Sequence, residues 1–109
     1  MVSYFVSYRG DSPDPEAFLR HYAERHARVV AEFPGIRSLV LHTAADCIDP
    51  FPVNPGGRLL LAQMSFDSTA ALNAALASEA RVRAREDFRS FPPFQGEITH
   101  QAMNWRKVF

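Results

Sequence analysis

The chain has 109 residues, 47% of them hydrophobic, and its twelve basic and twelve acidic side chains balance to a formal charge of zero. A chain of this length has room for one small domain with one core, and its balanced charge sets up no overall field that would recruit nucleic acid or an anionic membrane. The single cysteine, Cys47, excludes an internal disulfide, and no apolar run approaches the length that spans a bilayer.

The chain starts Met-Val-Ser-Tyr, without the basic and apolar regions of a signal peptide, and reads as cytoplasmic. Residues 2–9 then alternate, with Val2, Tyr4, Val6 and Tyr8 on one side and Ser3, Phe5, Ser7 and Arg9 on the other, the pattern of a strand. After a turn-rich link over 10–13 comes the best-marked element, a helix over 15–33. Asp14 can cap it, Pro15 suits its first position, Glu16 complements its dipole, and Pro34-Gly35 stop it. At about 100° per residue, Phe18, Tyr22, His26, Val29, Val30 and Phe33 fall on one apolar stripe.

Residues 36–43 form a second strand with apolar side chains on both faces. Residues 44–57 carry three prolines and two glycines and read as a long loop of the kind that lines a site or stays disordered. A third strand follows over 58–66. Asp67 or Ser68 then caps a helix reaching Leu76, and Ser78 caps a charged helix from Glu79 to about Phe91, which Pro92-Pro93 break. Residues 96–107 form the last strand.

The order β-α-β-β-α-β is the split arrangement in which two helices cover one face of a four-stranded antiparallel sheet, an α+β ferredoxin-like fold. Residues 1–109 read as a single domain. With nine Phe, three Tyr and one Trp to cover, and both sheet faces read as apolar, the second face is expected to pack against another copy as a homodimer.

His26 is the most informative residue. An imidazole has a donor and an acceptor to satisfy, so its place among Phe, Tyr and Val implies either a structural bond, to a backbone carbonyl or to Tyr4 or Tyr8, or a role as general acid or base. Tyr22, one turn earlier, is either core or a group that orients a substrate. Tyr4 and Tyr8 are partners for His26 if their face meets the helices, and interface if it meets the other subunit. No metal site emerges: His21 and His26 are five apart, out of line on a regular helix, and Asp46, Cys47 and Asp49 lack a recognised ligand spacing. Acidic neighbours disfavour the thiolate of Cys47. Arg81, Arg83 and Arg85 alternate round their helix and read as a solvated face or as interface ion pairs.

Glu16-x-Phe18-x3-Tyr22-x3-His26-x7-Pro34-Gly35, with Ala62-Gln63-Met64-Ser65-Phe66-Asp67-Ser68 and Asp87-x3-Phe91, resembles the EthD-like branch of the dimeric α/β-barrel proteins, near the methylmuconolactone methylisomerase type. The resemblance implies a pocket between sheet and helices, entered near the long loop, and chemistry without metal or flavin on a small apolar cyclic or aromatic metabolite. His26 would move a proton, in isomerisation or elimination next to a carbonyl or in cofactor-free oxygenation. Tyr22 and one of Tyr4 or Tyr8 would orient the ligand, and Phe18, Phe33, Met64 and Trp105 would form apolar wall. Met64 stands where the methylisomerase has a cysteine. Gln63 and Ser65 stand where many members carry an acidic and an aromatic residue, leaving His26 no acidic partner on that strand. The alternatives are a non-catalytic ligand-binding or accessory protein and, from other barrel branches, haem binding, for which no local motif is present.

Overall fold

The computed structural model describes residues 1–109. Its elements are β1 (Val2–Asp11), α1 (Pro15–His21), a π-helical turn (Tyr22–His26), α2 (Ala27–Val30), β2 (Ser38–His42), β3 (Arg58–Phe66), α3 (Thr69–Leu76), α4 (Glu79–Asp87), a 3-10 turn (Phe88–Ser90) and β4 (Gln95–Asn104). The four strands form one antiparallel sheet in the order β2-β3-β1-β4, the α+β ferredoxin-like arrangement. No helix is long and apolar enough to cross a membrane.

Register decides which residues face the helices. Val2, Tyr4, Val6 and Tyr8 of β1 pair with Phe66, Met64, Ala62 and Leu60 of β3 and with Asn104, Ala102, His100 and Ile98 of β4, and directly paired residues share a face. That face packs on Phe18, Tyr22, Val30 and Phe33 from the first helical segment, Leu72 and Ala75 from α3, and Ala80 and Ala84 from α4, forming the core. Near the far end of β1, Gly10 lies opposite Gly96 with φ of +146° and +151°, and a Cβ on either would collide with the other strand's backbone. Only glycine fits there.

Three expectations change. The helix expected over 15–33 is interrupted by the π turn and ends at Val30. Its buried residues Phe18, Tyr22, His26 and Val30 recur every four residues, a longer period than the 3.6 of an α-helix, and the wider π turn keeps them in line. The outer strands are shorter than expected, Ser38–His42 and Gln95–Asn104, although Arg37 N still donates to Ser65 O and Trp105 N to Met1 O.

The second sheet face is mixed rather than apolar. Phe5, Leu61, Val40 and Met103 share it with Ser3, Ser7, Gln63 and His42. Gln63 Nε2 donates to Ser3 Oγ at 3.1 Å, Trp105 Nε1 donates to the same oxygen, and His42 Nε2 donates to Gln63 Oε1 at 3.0 Å. No second layer of this chain covers that face, and the molecule is only 20 Å thick along its shortest axis.

Candidate functional site

A cavity of about 310 Å³ lies between the helix-facing side of the sheet and the two long helical segments, at the lower end of the range for small-molecule sites. Tyr4, Val6, Tyr8, Met64, Ile98 and His100 form its sheet wall; Tyr22, His26, Val30 and Phe33 form one helical wall; Arg81, Ala84, Arg85 and Phe88 form the other. Ten of the fourteen are hydrophobic, so the few polar groups decide what the cavity can do.

His26 is 7% exposed and held on three sides. Its Nδ1 lies 2.8 Å from Asp87 Oδ2, and its ring stands edge-on between Tyr22 and Phe91, with centroids 4.8 Å from each. A carboxylate only accepts, so Nδ1 carries the proton and Nε2 keeps the lone pair. Nε2 has no partner within the chain and is not sealed from solvent, which leaves it open to the cavity. Burial pushes the His26 pKa below its ordinary 6.5, against the raising effect of Asp87, with His21 adding to the depression. The ring is therefore neutral near pH 7, in the tautomer that presents a base to the cavity.

The π turn makes this arrangement. In a π segment residues five apart come close to alignment, so His21 and His26, which diverge on a regular helix, both turn toward α4. His21 Nε2 lies 3.4 Å from the same Asp87 oxygen without forming a hydrogen bond. The two rings and Asp87 do not make a metal site.

Two tyrosines complete the polar set. Burial raises the pKa of Tyr8, with Arg85 opposing, and raises that of Tyr22, with Tyr8 adding to the effect, so both stay protonated donors. The Tyr22 hydroxyl is buried without a hydrogen-bond partner, a state that costs about 1–3 kcal/mol. Tyr22→Phe is therefore expected to stabilise the free protein by about 1 kcal/mol, read as a raised urea midpoint; a lowered midpoint would show that the hydroxyl is satisfied after all.

Of the residues singled out from sequence, His26, Tyr22, Tyr4, Tyr8, Phe33 and Met64 meet at this cavity. Phe18 and Trp105 do not. Phe18 is fully buried behind the wall, packed on Tyr8, Phe91 and Phe94, because it sits at the N-terminal end of the stripe, beyond the cavity. Trp105 lies past the end of β4 on the opposite sheet face, beside Ser3, Phe5 and Gln63. Sequence reasoning left Asp87, Arg81, Arg85 and His100 out of the site. A signal for Asp87 was present: Ala80, Ala84 and Asp87 stand at i, i+4 and i+7 on α4, so the carboxylate continues a stripe of small residues that packs against the first helix.

A family model for the EthD domain matches residues 11–91. The chain belongs to the EthD family. This EthD-family chain is 33% identical, over 78 residues and 72% of each chain, to an uncharacterized 11.0 kDa protein from the thcB-thcC intergenic region of Rhodococcus erythropolis. Among solved structures it is similar to an EthD-family protein from Bacillus halodurans, with a TM-score of 0.77 and 21% identity over 97% of this chain and 99% of the other. It is also similar to a mutant form of SnoaB, a cofactor-independent oxygenase from Streptomyces nogalater, with a TM-score of 0.66 and 18% identity over 98% and 94% of the two chains. At those identities the two structures establish a shared fold.

Proposed function

We propose that this EthD-family chain is a cofactor-independent enzyme that removes a proton from carbon next to a carbonyl, or from an equivalent phenol, of a small cyclic or aromatic metabolite. The observation that carries this reading is the Asp87–His26 pair, with Nδ1 bound and Nε2 open to an apolar cavity. Asp87 holds the tautomer and balances the imidazolium once the proton has moved, and the apolar walls keep the base desolvated. Tyr22, its hydroxyl sealed and unpaired in the free protein, turns it toward the substrate oxygen as the cavity fills and negative charge builds there. Tyr8 supports it from β1, and Tyr4, Phe33 and Met64 shape the apolar wall.

Reprotonation at another carbon completes an isomerisation, and expulsion of a leaving group completes an elimination. Reaction of the same carbanion with dioxygen would give the oxygenase outcome, a course supported by the fold shared with a cofactor-independent oxygenase. The working unit in this reading is a homodimer joined through the second sheet face, where Phe5, Leu61, Val40 and Trp105 lie exposed or half-covered.

Proton abstraction can be assayed before the natural substrate is known. Cyclic ketones, lactones and dihydroxynaphthalenes are incubated with the protein in deuterium oxide, and incorporation at the activated carbon is followed by NMR. Incorporation is expected with the native protein and is expected to fall by about 10²–10⁴-fold in His26→Gln, with melting little changed. Binding of these compounds without His26-dependent exchange would instead favour a carrier.

A further inference from the structure

Proton transfer at His26 leaves two cations of the cavity unused. Arg81 and Arg85 stand one helical turn apart on α4 and line the same wall. Neither takes part in an ion pair: the four close acid-base contacts of the chain join His21 and His26 to Asp87, Arg37 to Asp67, and Arg83 to Glu32. Arg83 lies between them in sequence but turns away from the cavity to meet Glu32 at 2.9 Å. No Asp or Glu lines the cavity. The Arg81 guanidinium is half-buried, 5.6 Å from the centroid of the Tyr4 ring, so it is positioned by an aromatic face rather than by an acid. Like charges at i and i+4 disfavour a helix, and an anion between them would remove that repulsion.

The cavity therefore has an electrostatic polarity. One helical wall carries a neutral base among apolar side chains; the other carries two planar forks whose geometry matches a carboxylate. The field reaches the sheet wall, where His100 is held below its ordinary pKa first by burial and then by Arg81 and Arg85.

We propose that the ligand is a small aromatic or alicyclic carboxylate, its carboxylate seated at Arg81 and Arg85 and its ring lying over Tyr8 and Tyr22 toward His26. The proposal rests on the reading of this cavity as the ligand site and adds the charge of the ligand. The arginines fix which end of the molecule meets the base.

The test uses benzoate and cyclohexanecarboxylate as probes, with methyl benzoate and benzamide as neutral counterparts, in calorimetric and NMR titrations of the native protein and of Arg81→Gln, Arg85→Gln, Arg85→Lys and His26→Gln. Both acids are expected to saturate the protein and to bind about tenfold or more tightly than their neutral counterparts, as for loss of a charge-assisted hydrogen bond. Each Gln variant is expected to lose about tenfold for the acids and little for the ester, and Arg85→Lys to keep part of the affinity. Arg85 is exposed, so its variants remain informative if Arg81→Gln loosens the packing on Tyr4. His26→Gln is expected to bind the acids normally. Equal binding of acid and ester, acid binding indifferent to both arginines, or no saturation by either acid overturns the proposal. Arginine-dependent acid binding with no His26-dependent deuterium exchange by any compound would instead overturn the catalytic reading and leave the anion site standing.

Discussion

Replacing Asp87 with Asn is expected to slow deuterium exchange by about 10²–10⁴-fold while the protein stays folded. The substitution keeps the shape of the side chain but loses its charge. An amide can present either its oxygen or its NH₂ to Nδ1, so the ring is no longer committed to the tautomer whose Nε2 accepts a proton, and the imidazolium formed in the reaction loses its counter-charge. Two ¹⁵N signatures for the His26 ring, one per tautomer, are expected where the native protein gives one. In the folded protein Asp87 raises the His26 pKa and burial lowers it, with burial the larger effect. Without Asp87 the pKa drops further, so the acidic limb of the rate profile moves to lower pH even as the plateau falls. The same shift bears on stability: a histidine with a depressed native pKa contributes stability that is full above its unfolded value of about 6.5 and is lost as pH falls from there toward the native value. Asp87→Asn extends that window downward. An acidic limb that moves upward, or a ring that keeps one tautomer, would remove Asp87 from the mechanism.

Phe18→Ala is expected to destabilise the fold by about 3–5 kcal/mol, a large share of the roughly 5–15 kcal/mol that holds a domain of this size. Phe18 is fully buried and meets Tyr8 and Phe91 edge-on at 5.4 Å, with Phe94 at 5.5 Å. Truncation opens a void behind the cavity wall, between the helical layer and the sheet, where rings already packed on one another can close it only in part. Urea denaturation should report the loss directly. The affinity of the remaining folded protein for benzoate should change little, because Phe18 does not line the cavity. A midpoint close to native combined with weakened binding would return Phe18 to the ligand wall.

These two residues mark how far the sequence could be read. The element order, the helix start at Asp14-Pro15 and the importance of His26 were legible because caps, prolines and apolar periodicity act locally. The EthD resemblance followed from the order of motifs along the chain. The small-residue stripe of α4 marked Asp87 as facing the first helix, but its pairing with His26 was not legible, since it depends on a π turn that alters the helical period between Tyr22 and His26, and no residue in Tyr-Ala-Glu-Arg-His announces such a turn. Phe18 was misplaced for a related reason: a helical wheel gives direction about the axis but not position along it, and the cavity opens only beside the later turns. The faces of Tyr4 and Tyr8 needed the register with β3 and β4. Trp105 shares the sheet face of Met103 and Ser3, and that this face turns away from the cavity is likewise fixed only by register.

The strand order has a consequence for how the molecule forms. β1 lies between β3 and β4 and pairs with residues 58–66 on one side and 95–104 on the other, so neither of its ladders is a local hairpin. Both demand closure of long stretches of chain before any cross-strand bond rewards it. Folding is expected to be slow for so small a domain. During that delay β1, with Val2, Val6 and Tyr8 on one face and two unpaired edges, is the segment most open to association with another chain.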